Sequence, residues 1–192
     1  MHQISMAIPQ YFQPDSPSGE KDLIRLAVQK CISTLKNLDS RTTVQKAGDS
    51  QLVFALPHVF HPGSDLGANA AALEPLLECL CDIDLAYRRY HPSRIFLYPS
   101  PVYYERTVVW DSTPALYARG YGDCKSLTAT RVSEYRAAGQ DARPVFRFLP
   151  PDQNQKGQFQ YHILVLGPYG FEDPSKIKGM AKHENSYFQA AS

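Results

Sequence analysis

The sequence predicts an α+β fold in which a cysteine-bearing helix packs on an antiparallel β-sheet, with further helices toward the N-terminus. Apolar residues recur at three- and four-residue spacing over 20–38, and after Cys124 the apolar residues Leu127, Ala129, Val132 and Tyr135 mark a further helix. Three strand patterns then follow in a row: Pro144 to Leu149, Gln160 to Leu166, and a short one at Tyr169 to Glu172. Gly139, after Ala138, supplies the stop between that helix and those strands.

Residues 1–19 read as an extended arm, because Pro9, Pro14, Pro17 and Gly19 oppose an early helix. From about Glu20 to Leu38, the positions Leu23, Ala27, Cys31, Leu35 and Leu38, flanked by Ile24 and Val28, predict an amphipathic helix. Cys31 falls on its apolar face and reads as a small buried hydrophobe. Arg41 to Ser50 is polar and ends in the turn signal Gly48-Asp49, after which Leu52 to Leu56 predicts a strand. His58 and His61 lie among Pro57 and Pro62, which oppose the helix that would bring both to one metal, so they read as structural or solvent-facing.

A second helix runs from Leu66 to about Tyr90, with Pro75 kinking or dividing it. Cys79 and Cys81 stand two apart on it, point to different faces and cannot readily share a zinc ion. Arg94 to Tyr98 predicts a strand. Seven of the twelve tyrosines fall between positions 87 and 121, enough to line a groove for an extended peptide or to pack a junction between layers. Pro150 to Gly157 reads as a polar hairpin loop.

Twenty basic and nineteen acidic side chains leave a net charge of +1, with the basic residues scattered along the chain. That distribution argues against a nucleic-acid or anionic-membrane binder, which needs a concentrated positive face. The chain has no run of about 18 apolar residues, and its first residues lack a secretion signal. The expectation is therefore a soluble, cytoplasmic protein with no membrane partner, whose four cysteines are reduced thiols. No cofactor or metal is expected, and no acidic loop of calcium-binding spacing is present.

Gly122-Asp123-Cys124-Lys125 places a thiol at a helix start, His162 lies on a strand, and Asp173-Pro174 follows shortly after. These are the parts of an activated cysteine nucleophile: thiolate, proton carrier, and a carboxylate that sets the imidazole tautomer. A free thiol titrates near ~8.5, and bringing it to about 4 takes roughly 6 kcal/mol. A helix terminus supplies about 0.3 to 1 kcal/mol, up to about 2 when partly buried, so most of that shift must come from protonated His162. Glu172 competes with Asp173, but neighbours in an extended segment project to opposite sides, so only one can serve. Lys125 is read as a solvated lysine. The Cys124 backbone N–H is the natural oxyanion donor, and Trp110 and Tyr121 are the candidates for the remaining oxyanion or substrate contacts.

Taken together, Gly122-Asp123-Cys124-Lys125, the helix closing at Ala138-Gly139, the Tyr161-His162 strand and the Asp173-Pro174 turn resemble the transglutaminase-like cysteine enzyme superfamily, relatives of the papain-like fold. The likeness covers roughly residues 105–180. It implies a Cys124 nucleophile, His162 as general base and acid, and Asp173 as orienting carboxylate. The activities it implies are hydrolysis of a peptide, isopeptide or amide bond, or acyl transfer to an amine, with a protein or peptide substrate. A third reading is a binding or assembly protein that keeps the fold after losing activity, or uses it as a structural part of a larger particle. On this reading residues 1–192 form one domain: an N-terminal arm (1–19), a helical N-terminal part (20–104) and a transglutaminase-like catalytic core (105–192).

Overall fold

A computed structural model describes residues 2–9, 18–57, 66–92, 96–149 and 160–180. His58, His61 and the Pro150 to Gly157 loop lie outside the described residues. The architecture is mixed α+β, with helices packed against sheets.

The first sheet runs in the order β2–β3–β1–β5, made by β1 (His2–Ala7), β2 (Thr43–Ala47), β3 (Gln51–Leu56) and β5 (Val109–Asp111). β1 is antiparallel to β3, with Ile4 opposite Phe54, and parallel to β5, with Met6 opposite Trp110. Within the expected extended arm, His2–Ala7 is thus an inner strand of the sheet. Ile4, Met6 and Ala7 are buried, and that burial holds the strand in place despite Pro9. β2, within the polar stretch Arg41 to Ser50, is an edge strand with mostly exposed side chains, and its apolar signal is correspondingly weak.

Helix α1 (Ser18–Leu38) buries Ile24, Val28, Cys31 and Leu35, a stripe at four-, three- and four-residue steps. Leu23 and Leu38, expected on that face, are 39 % and 57 % exposed, so the stripe lies one position round the helix from the predicted one. Helix α2 (Leu66–Tyr90) has the predicted bounds and contains Pro75 without being divided by it. Phe96 to Tyr98 is a turn and not the predicted strand. The Leu97 amide donates to Glu134 Oε1 at 2.6 Å, which removes it from any ladder. Arg94 and Ile95, the first two residues of that predicted strand, lie outside the described residues.

Tyr103–Tyr104 (β4) and Tyr121–Gly122 (β6) form a short parallel pair. Between them lie β5 and helix α3 (Thr113–Arg119), which opens on Pro114 and closes at Gly120, whose φ of 82° suits a residue without Cβ. Helix α4 (Cys124–Ala137) follows, ending before Gly139 at φ 75°. The last sheet has the order β7–β8–β9, from β7 (Arg143–Leu149), β8 (Gln160–Gly167) and β9 (Gly170–Glu172), and a short helix α5 (Pro174–Ile177) leaves it. One buried cluster runs from Ile4 and Phe54 through Leu76 and Leu80 to Cys124, Val132 and Ile163, so α2 and α4 join the first sheet to the last.

That junction contains a buried acid. Asp84 on α2 is fully buried and accepts the Thr113 amide at 2.6 Å, capping α3 from a distance. Burial pushes its carboxyl up to about 7, against the pull of the Thr113 amide and Arg88. A folded value near 7 against about 3.9 unfolded means the stability Asp84 contributes is fully present below about pH 4 and is lost as pH rises through 7, by up to about 4 kcal/mol. Asp84→Asn is expected to flatten the fall in stability between about pH 4 and 7 in urea titrations. An unchanged pH slope would show that Asp84 ionises freely in the fold.

Candidate functional site

Each strand-borne side chain of the site has its place set by backbone pairing. In β8, Val165 lies opposite Glu172, so by register Leu164 faces Asp173 and Ile163 would face Pro174. Proline has no N–H to continue the ladder, and the chain turns away there into α5. The edge of β8 is thereby open to α4. The Ile163 carbonyl accepts from Thr128 Oγ1 at 3.2 Å. Thr128, one helical turn after Cys124, takes a backbone group that a longer β9 would have used.

His162 and Asp173 project from the same face of the sheet, and Glu172 from the other. His162 Nε2 lies 3.0 Å from Asp173 Oδ2, with the imidazole 3 % exposed. Asp173 divides its carboxylate: Oδ1 accepts the Lys176 amide at 3.1 Å and so caps α5, while Oδ2 holds the ring. The turn-forming and imidazole-orienting roles of this residue therefore coexist. Glu172 is committed elsewhere, to Arg131, Tyr98 and Tyr135.

Cys124 is 8 % exposed at the first position of α4. Burial, with the Asp123 charge beside it, pushes the thiol up to about 12, against Lys125 and the Ile163 amide, which favour thiolate. Lys125 is not solvated, contrary to the sequence reading. It is 4 % exposed, and its ammonium donates to the Thr107 carbonyl at 2.6 Å and pairs with Asp123. The charges of Asp123 and Cys124 also reach Tyr161, whose phenol is pushed up first by burial and then by them.

Asp111 packs nearby. Its amide donates to Ser126 Oγ at 2.9 Å and its carboxylate binds Arg119 at 2.9 Å. Burial pushes Asp111 up to about 6, opposed by Arg119 and Lys125. Trp110 is 2 % exposed in the main core, whereas Tyr121 lies on β6, its ring 5.7 Å from that of Tyr103 and beneath the Arg119 guanidinium.

The glycine before Asp123 is needed for space. A Cβ on Gly122 would stand 2.5 Å from Leu116 Cδ1, inside a small fully packed cluster of Leu97, Val102, Leu116 and Leu127. Gly122→Ala is expected to cost about 1–3 kcal/mol through overpacking, read as a lower urea midpoint at unchanged slope.

Sequence reasoning missed Thr128, the buried state of Lys125 and the Arg131–Glu172 pair. Spacing held part of the signal, since Cys124, Thr128 and Arg131 recur at four and three residues on one helix face. Among the described residues, no group of three or more His, Cys, Asp or Glu side chains could hold a metal ion, and no helix is long and apolar enough to cross a membrane. Compared with protein-family models, curated proteins and solved structures, the chain matches none of them.

Proposed function

We propose that this chain is a transglutaminase-like, papain-related thiol enzyme that cleaves a peptide, isopeptide or amide bond through an acyl-enzyme on Cys124. The observation that carries the reading is the 3.0 Å His162–Asp173 contact, its imidazole buried, on the strand whose Ile163 carbonyl accepts from Thr128 of the helix that Cys124 opens. With Nε2 committed to Asp173, proton exchange with sulfur is assigned to Nδ1. Burial opposes a lone thiolate, but moving the proton from Cys124 to His162 leaves the net charge of the pair unchanged. Thiolate and imidazolium then stabilise each other in the same low-dielectric setting.

The thiolate attacks the acyl carbon, and the oxyanion is received by the Cys124 backbone N–H at the helix start, with Trp110 or Tyr121 as second donor. Imidazolium passes its proton to the leaving amine, and the sulfur retains the acyl group. Water, activated by the same ring, releases it; an amine in place of water gives crosslinking or amine transfer instead.

A specific observation favours a second reading: the thiol is buried and pushed up to about 12, as suits a fold kept for a structural or assembly role. Incubating the protein with candidate protein substrates, with and without a labelled primary amine, separates the outcomes by mass spectrometry. Hydrolysis yields fragments or a released amine, and transfer adds the label. The structural reading predicts neither, and Cys124→Ala should abolish whichever product forms.

A further inference from the structure

We propose that Glu172 is a positioning residue for this reaction, holding Asp173 against His162 by clamping β9 to the helix that carries the thiol. The inference rests on the acyl-transfer reading above. Glu172 touches no reacting atom; it acts through the residue that follows it.

β9 is three residues long and pairs with β8 only through Val165–Gly167, at the end of a hairpin where ladders fray most easily. α5, which follows Asp173, is four residues long. Neither element is large enough to fix a carboxylate by itself. Glu172 supplies the missing anchor from the opposite face of the strand. Its Oε1 accepts from Arg131 Nε at 2.7 Å and from the Tyr98 hydroxyl, and its Oε2 accepts from the Tyr135 hydroxyl at 2.8 Å and Arg131 at 3.4 Å.

Arg131 is in turn fixed, bonding Glu134 at 2.9 Å and lying over the rings of Tyr98 and Tyr135. Glu134 is held by Arg88 of α2 at 2.8 Å and by the Leu97 amide. Burial raises Glu172, but the bonds from Arg131, Tyr98 and Tyr135 outweigh it and hold its carboxyl below the usual range, so the clamp is charged at neutral pH.

Arg131 stands seven residues after Cys124, two turns along the same helix. One rigid element therefore carries both the thiol and the anchor for β9. The bonding order Cys124–α4–Arg131–Glu172–Asp173–His162 runs from the sulfur back to the ring that must serve it. Displacement of β9 relative to α4 would move Asp173, and with it the imidazole, away from the thiol.

The test is the pH dependence of iodoacetamide capture at Cys124, followed by peptide mapping, in wild type, Glu172→Gln, Asp173→Asn and the double variant. Glu172→Gln is expected to move the profile to higher pH by about one unit, roughly tenfold slower capture at pH 6.5. Asp173→Asn should move it further, and the double variant no further than Asp173→Asn alone, because the clamp works only through that carboxylate. Tyr98→Phe removes one Glu172 partner and no charge, and should shift the profile in the same direction by less. A Glu172→Gln profile that overlays the wild type, or losses that add in the double variant, overturns the positioning role. Wild-type capture that is indifferent to His162→Ala overturns the acyl-transfer reading itself.

Discussion

Replacing His162 by alanine is expected to slow alkylation of Cys124 at pH 6.5 by about a hundredfold or more, with the remaining reaction rising only at alkaline pH. The sign follows from the surroundings of the sulfur. Cys124 is buried beside the Asp123 carboxylate, and those two influences together push the thiol up to about 12. The opposing contributions of Lys125 and the Ile163 amide are smaller. Thiolate at neutral pH therefore requires a nearby group that accepts the proton and remains as a cation, the part that the proposed mechanism gives to His162, which Asp173 holds at 3.0 Å. In the wild type the alkylation profile should extend below pH 7. Peptide mapping keeps Cys31, Cys79 and Cys81 as internal references, all three buried in the core and none expected to change with His162. Equal profiles in wild type and variant would leave the thiol with no activating base.

Lys125→Met is expected to destabilise the protein by about 3–5 kcal/mol at pH 7, the usual cost of removing one partner from a buried ion pair. Asp123 is 8 % exposed, and its Oδ1 has no hydrogen-bond partner among the described residues, while Oδ2 relies on Lys125 and on a 3.5 Å contact from the Thr107 amide. Removing the ammonium also takes the 2.6 Å donor from the Thr107 carbonyl. Burial already raises the Asp123 carboxyl despite Lys125, and losing the cation raises it further. A carboxyl raised on folding contributes stability that is full below its unfolded value, near 4, and lost as pH rises through the folded one. The Lys125→Met defect should therefore shrink as urea titrations are moved from pH 7 to pH 4.5. Adding Asp123→Asn should restore most of the loss at pH 7. A defect that is the same at both pH values would assign Lys125 a packing role alone.

The elements most legible in the sequence were those whose burial pattern is local. α2 was readable from its run of Ala and Leu, α4 from its start at Cys124 and its stop at Gly139, and β7, β8 and β9 from short apolar runs separated by turn residues. β1 was hidden because its partners, β3 and β5, lie some 50 and 100 positions away and no local signal marks an inner strand among prolines. β2 was hidden because an edge strand with exposed side chains looks like a polar loop. On α1 two adjacent apolar rows competed, and packing against α2 chose the row containing Ile24 and Val28.

At the candidate site, the sequence by itself determined the residue types, their order along the chain and the elements that carry them: Cys124 opening a helix, His162 within a strand, Asp173 at a proline turn. It also placed Glu172 and Asp173 on opposite faces of one strand, since alternation is a property of the backbone. Only the tertiary structure decided where Glu172 is committed, that Lys125 is buried against Asp123 and Thr107, and that Thr128 takes the Ile163 carbonyl at the open edge of β8. The physical reason is that burial and charge pairing depend on neighbours far along the chain. Helix starts, turns and strand alternation are set by residues a few positions apart.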